Sequence, residues 1–129
     1  EASLSASATN TNSNYTVSAK AQAYPSYWSR LALSNQRAAG AAACAVNFPA
    51  WGSMCNRLCE ALGDGNYGYS SADHEGLAFI KFFGTEIEDL DLMAAAIIEK
   101  EGTSYEDLVE PVRLLQEYEI MFWDAIFEK

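Results

Sequence analysis

Leu108-Val109-Glu110-Pro111-Val112-Arg113-Leu114-Leu115-Gln116-Glu117-Tyr118-Glu119-Ile120-Met121-Phe122-Trp123-Asp124-Ala125-Ile126 is the stretch that decides how the chain folds. Leu108, Val112, Leu115, Glu119, Phe122 and Ile126 follow one another at spacings of four, three, four, three and four. At about 100° per residue all six fall within about 80° of one helical face. Glu106, Glu110, Arg113, Glu117, Asp124 and Glu128 take the opposite face. The spacing predicts a long amphipathic helix, and Ser104 with Asp107 supplies a variant capping box at its start. Glu119 is the one charge in the apolar stripe. A carboxylate there costs several kcal/mol unless it is paired or protonated. It is therefore either a general acid or base held in an apolar wall, or a structural glutamate bonded to a Tyr, a Trp or a freed helix carbonyl.

The same helical period extends back to Tyr15, and no segment reads as a strand pair. A first helix is expected over residues 16–37, with Pro25 kinking it or opening its main part. The alanines around Gly40 permit close helix packing, and a second helix is expected to reach Leu62. On that helix Phe48, Trp51, Cys55, Leu58, Cys59 and Leu62 share an arc, with Ser53, Arg57 and Glu60 opposite. Pro49 removes one hydrogen bond and frees a carbonyl near Ala45, so a kink is expected there. Gly63-Asp64-Gly65-Asn66 ends the helix. Shorter helices are expected over residues 73–83, stopping at Gly84, and over 87–100, stopping at Gly102. The expectation is an all-α bundle of about five helices in one domain, residues 15–129, behind a polar linker or leader remnant, residues 1–14.

Charge and cysteine usage narrow the function. The chain has 129 residues and a net charge of −10. Residues 1–72 carry a net +1 and residues 73–129 a net −11. Such a surface repels phosphate backbones, which argues against nucleic acid. The longest nearly uncharged apolar run, Ala38 to Trp51, is shorter than the ~20 residues a membrane span needs. It is apolar almost all round, as a helix enclosed by neighbours would be. The three cysteines, Cys44, Cys55 and Cys59, form a poor disulfide framework and suit a reducing, intracellular compartment, cytoplasmic or organellar. The single histidine, His74, lies at a helix start with no partners for a metal set. No cofactor and no metal is expected. Asn14-Tyr15-Thr16 fits a glycosylation sequon that matters only in a secreted protein.

Glu119-Ile120-Met121-Phe122-Trp123-Asp124-Ala125, at the end of a terminal helix, resembles the TenA family, also called thiaminase II or aminopyrimidine aminohydrolase. The alanine-rich pair from Tyr24 to Leu58 and the run Phe79-Ile80-Lys81-Phe82-Phe83-Gly84 agree in order and spacing. The similarity covers most of residues 24–129 but only the back half of that fold. It implies a haem-oxygenase-like helical bundle. It also implies that Glu119 matches the family's proton-shuttling glutamate, with Trp51, Phe83 and Tyr118 as ring-facing aromatics. The family's nucleophilic cysteine falls on Asn47, which forms no thiolate. Cys44, three residues earlier and about 60° round the helix, is the candidate thiol if a kink at Pro49 brings it near. The family's aminopyrimidine-gripping aspartate belongs to the front half and has no counterpart here.

Two readings follow. One is a catalytically inert helical subunit kept for its interaction surfaces, with a second protein chain, a copy or a different protein, covering an apolar groove beside Trp51 and Phe83. The other is a thiamin-salvage hydrolase or aminopyrimidine binder, with Glu119 as acid/base, Cys44 as nucleophile, and Trp51, Phe83, Tyr118 and Asn47 about the ligand.

Overall fold

The computed structural model describes residues 17–128, and the expectations for residues 1–14 and the sequon fall outside them. The described chain is all-helical: α1 (Ala19–Leu33), α2 (Arg37–Leu62), a 3₁₀ turn (Glu75–Leu77), α3 (Ala78–Gly84), α4 (Leu90–Glu101) and α5 (Tyr105–Phe127). None of these helices is long and apolar enough to cross a membrane.

Each boundary has a local cause. The Ser18 hydroxyl accepts from the Ala21 amide and opens α1, satisfying one of the donors a helix start leaves free. The first helix is shorter than the sequence suggests because Asn35 adopts φ 56° and turns the chain between α1 and α2. Asn is among the few non-glycine residues that tolerate that region. The long helix α2 runs through Pro49 without interruption. The segment before Gly84 begins as a 3₁₀ turn in which the His74 Nδ1 accepts from the Gly76 amide at 3.0 Å, so His74 is a cap. Helix α4 starts three residues later than expected, after Asp89 at φ 55°. It ends at Gly102, φ 63°, whose amide returns to Glu99 and Ile98. That left-handed ending is the usual glycine stop. Ser104 and Asp107 form the expected cap: the Ser104 hydroxyl accepts from the Asp107 amide at 3.3 Å and donates to its carboxylate at 2.8 Å.

Helix α2 packs against all four other α-helices, and α5 packs against α1 and α2. The main core lies where α1, the first half of α2 and the first half of α5 meet. Tyr27, Leu31, Ala38, Ala39, Ala43, Leu108 and Leu115 close it, with Leu115 and Ala43 fully inaccessible. Alanines on α2 let the neighbouring helix axes come close. Farther along α2 the buried positions are Asn47, Cys55 and Cys59, continuing the line of Ala43 at steps of four apart from the half-buried Trp51. The expected arc through Phe48 and Leu58 is therefore displaced, since both are exposed. The run from Ala38 to Trp51 is not enclosed among the described residues, because Val46 and Phe48 face outward. On α5 the stripe holds from Leu108 to Phe122. Ile126 is 48% exposed, and Ala125 is buried instead.

Glycines fix the approach of α3 to α2. A Cβ on Gly84 would stand 2.1 Å from the Asn56 side-chain oxygen, and the Asn56 amide donates to the Gly84 carbonyl at 2.8 Å. A Cβ on Gly52 would press on the Phe83 carbonyl at 3.3 Å.

Candidate functional site

Between the second half of α2, the second half of α5 and the α3–α4 connection lies an open groove of about 1280 Å³. Trp51, Phe83 and Trp123 form its aromatic wall. The Trp51 and Trp123 ring centres are 5.7 Å apart and tilted by 31°, and Phe83 meets Trp51 edge-on at 6.4 Å. Phe79 and Phe82 flank Phe83 at 5.1 and 5.4 Å and are 75% and 72% exposed. Such edge-to-face contacts are favourable geometries for aromatic quadrupoles. The polar rim holds Arg57 and four acids, Glu60, Glu86, Asp89 and Asp91.

The groove's inner end is organised by Asn47, which is 2% exposed. Its carbonyl oxygen accepts from the Tyr24 hydroxyl at 2.9 Å. Its amide nitrogen donates to Gln116 Oε1 at 3.0 Å and to Glu119 Oε2 at 2.5 Å. The second Glu119 oxygen accepts a long bond, 3.4 Å, from the Trp123 indole N–H. No buried side-chain polar atom among the described residues lacks a partner. Glu119 is half-buried, lines the groove and is paired by donors on α2 and α5. Burial pushes the Tyr24 hydroxyl above its ordinary pKa, so it stays a donor to Asn47 in the neutral range.

The structure brings together four of the six residues singled out from the sequence: Asn47, Trp51, Phe83 and Glu119 all line the groove. Tyr118 does not. Its ring packs against Tyr27 at 5.1 Å in the α1–α5 core. Cys44 does not line the groove either, although α2 passes through Pro49 nearby. Burial raises its thiol pKa, which lowers the thiolate fraction available to a nucleophile. Tyr24, Gln116 and Trp123 were missed. Trp123 stands beside Glu119 in the quoted motif, and its i, i+4 spacing from Glu119 was the available signal. Tyr24 and Gln116 gave none, because their role depends on how three helices meet. No group of three or more His, Cys, Asp or Glu side chains among the described residues is placed to hold a metal ion.

No family profile, curated protein or solved structure matches this chain.

Proposed function

We propose that this chain is a catalytically inert helical subunit of haem-oxygenase-like, TenA-like pattern that holds a partner protein in its aromatic groove. One observation carries the reading: the groove is larger and more open than a ring-binding site. Its volume of about 1280 Å³ exceeds the ~300–1000 Å³ usual for small-ligand pockets. Its aromatic wall continues outward into Phe79 and Phe82. Contiguous apolar surface of this kind marks interaction sites. The chemistry supports the same reading. Asn47, at the position where the resembled family carries its nucleophile, is committed to three hydrogen bonds, and the nearest thiol on α2, Cys44, is outside the groove.

The test combines light scattering with the uncharged dye Nile red, at micromolar protein. A monomer that binds the dye supports a different protein as partner, and a dye-silent dimer supports a second copy. A well-folded, dye-silent monomer sinks the proposal. Hydrolysis of thiamin and of aminopyrimidines should be undetectable. Turnover that disappears in Cys44→Ser would overturn the claim of inertness.

A second reading, an aminopyrimidine binder, is favoured by the Glu119 carboxylate standing between Asn47 and Trp123 on the groove wall. A carboxylate beside aromatic faces suits an amine-bearing flat ring. Calorimetric binding of an aminopyrimidine that Glu119→Gln weakens at least ~10-fold, about 1.4 kcal/mol, would establish it.

A further inference from the structure

We propose that the groove receives an amphipathic helix from a different protein, with an apolar face turned into the groove and Lys or Arg along its flank. This rests on the interaction-subunit reading and adds the chemistry of the partner.

The rim is electrostatically one-sided. Glu60, Glu86, Asp89 and Asp91 are exposed around the groove against the single cation Arg57. None of these four acids is ion-paired among the described residues. The ion pairs there join Lys20 to Glu128, Arg37 to Glu101, Lys81 to Asp73 and Arg113 to Glu117, and none includes a rim residue. Carboxylates left free around an apolar floor fit a ring of cations on the incoming surface. They also disfavour a second copy as occupant. A copy would bring a net charge of −10 and an identical acidic rim, and like charges set against one another oppose docking.

The backbone of the occupant follows from the fold. The described residues contain no strand, so there is no sheet edge to which an extended peptide can add. An extended segment would turn part of its backbone N–H and C=O groups onto the aromatic floor, where they find no partner, whereas a helix satisfies its own and can offer a wholly apolar face. The space agrees. A helix about 10 Å across rises 5.4 Å per turn, so about three turns occupy the groove volume. Anchors at i, i+3 or i+4, and i+7 would reach Trp51, Phe83 and Trp123.

The experiment uses three synthetic helical peptides of about 20 residues, long enough to hold a helix. They share one leucine face and carry Lys, Gln or Glu on the flanks. Each is titrated against the full chain with Nile red displacement and peptide anisotropy as readouts, at low and high salt. The expected order is Lys tightest, with at least ~10-fold over Gln and more over Glu, shrinking as salt screens the rim. Glu60→Lys with Glu86→Lys should reverse the order. Phe82→Ser with Phe83→Ser, both at exposed positions, should weaken the Lys peptide ~10-fold or more. Equal affinities for the three peptides would overturn the proposal. So would Lys-peptide binding that ignores the Phe82/Phe83 pair, since charge alone would then explain it. If dye binds and no peptide displaces it, the basic helix falls and the groove reading stands. If neither dye nor peptide binds and the chain is a well-folded monomer, both fall together; a dye-silent dimer overturns the basic helix alone.

Discussion

The two halves of α2 face opposite fates. The first half presents Ala38, Ala39 and Ala43 to α1 and α5, and the contact closes into a dry core with Leu31 and Leu115. The second half presents Trp51 beside Gly52 and meets a helix of only seven residues, α3, whose phenylalanines remain outside. Small side chains let neighbouring helices converge until nothing is left to cover. Along the second half the opposing helix comes close but is short, so the large rings around it stay partly uncovered and border a groove. Apolar content alone therefore does not tell core from interface. Side-chain size and the length of the opposing helix do.

The comparison makes its largest prediction at Leu115. Leu115→Ala should cost about 3 kcal/mol in urea unfolding, as for other fully buried leucines, whereas Phe83→Ala should cost under ~1 kcal/mol and abolish dye binding. Similar losses at the two sites would break the distinction. Asn47→Ala, where the two halves join, should cost about 2 kcal/mol by leaving Tyr24, Gln116 and Glu119 short of partners. In a double-mutant cycle Asn47→Ala and Glu119→Ala should couple by ~1 kcal/mol. Strict additivity would show that the polar node does not join the halves. Gly63→Ala tests the far end of α2, where an added Cβ would meet the Ala72 backbone at 2.2 Å. A loss of ~1–2 kcal/mol in thermal unfolding is expected from such overpacking.

The smallest effect is at Cys44. Burial raises its thiol pKa, so the folded state favours the protonated form. Its contribution to stability is complete below the unfolded thiol value of about 8.5 and is lost as pH rises toward the folded value. Iodoacetamide should accordingly label Cys44 more slowly than a free thiol near pH 8, with the rate rising at more alkaline pH. Labelling as fast as a free thiol would place Cys44 outside the packed half.

Much of the helical order was legible because α5 and the caps are local. The stripe from Leu108 to Phe122, the Ser104 cap and the Gly102 stop depend on residues within a turn or two of one another. The breaks at Asn35 and Asp89 were not legible, since left-handed backbone at a non-glycine residue carries no spacing signal. The burial arc on α2 was misplaced for a different reason. Phe48 and Leu58 are as apolar as a core requires, and which face of α2 is covered depends on where its neighbours pack, which residue spacing does not encode. Within the candidate site, the sequence picked out Glu119, Trp51 and Phe83. It did not reveal that Asn47 and Glu119 bond directly, because their 72-residue separation is bridged only by the packing of α2 on α5.

That bond has a consequence for how the helices align along their axes. A face made of Ala38, Ala39, Ala42 and Ala43 is nearly featureless, so a neighbouring helix could slide along it by one turn, 5.4 Å, with little loss of packing. Asn47 removes that freedom. Both its amide hydrogens are taken by α5, and its oxygen is taken by Tyr24 of α1. Moving either helix by one turn would strip these bonds at once and strand a buried amide beside a carboxylate. Asn47 thus acts as a pin that sets a single axial register for three helices whose alanine faces would otherwise admit several.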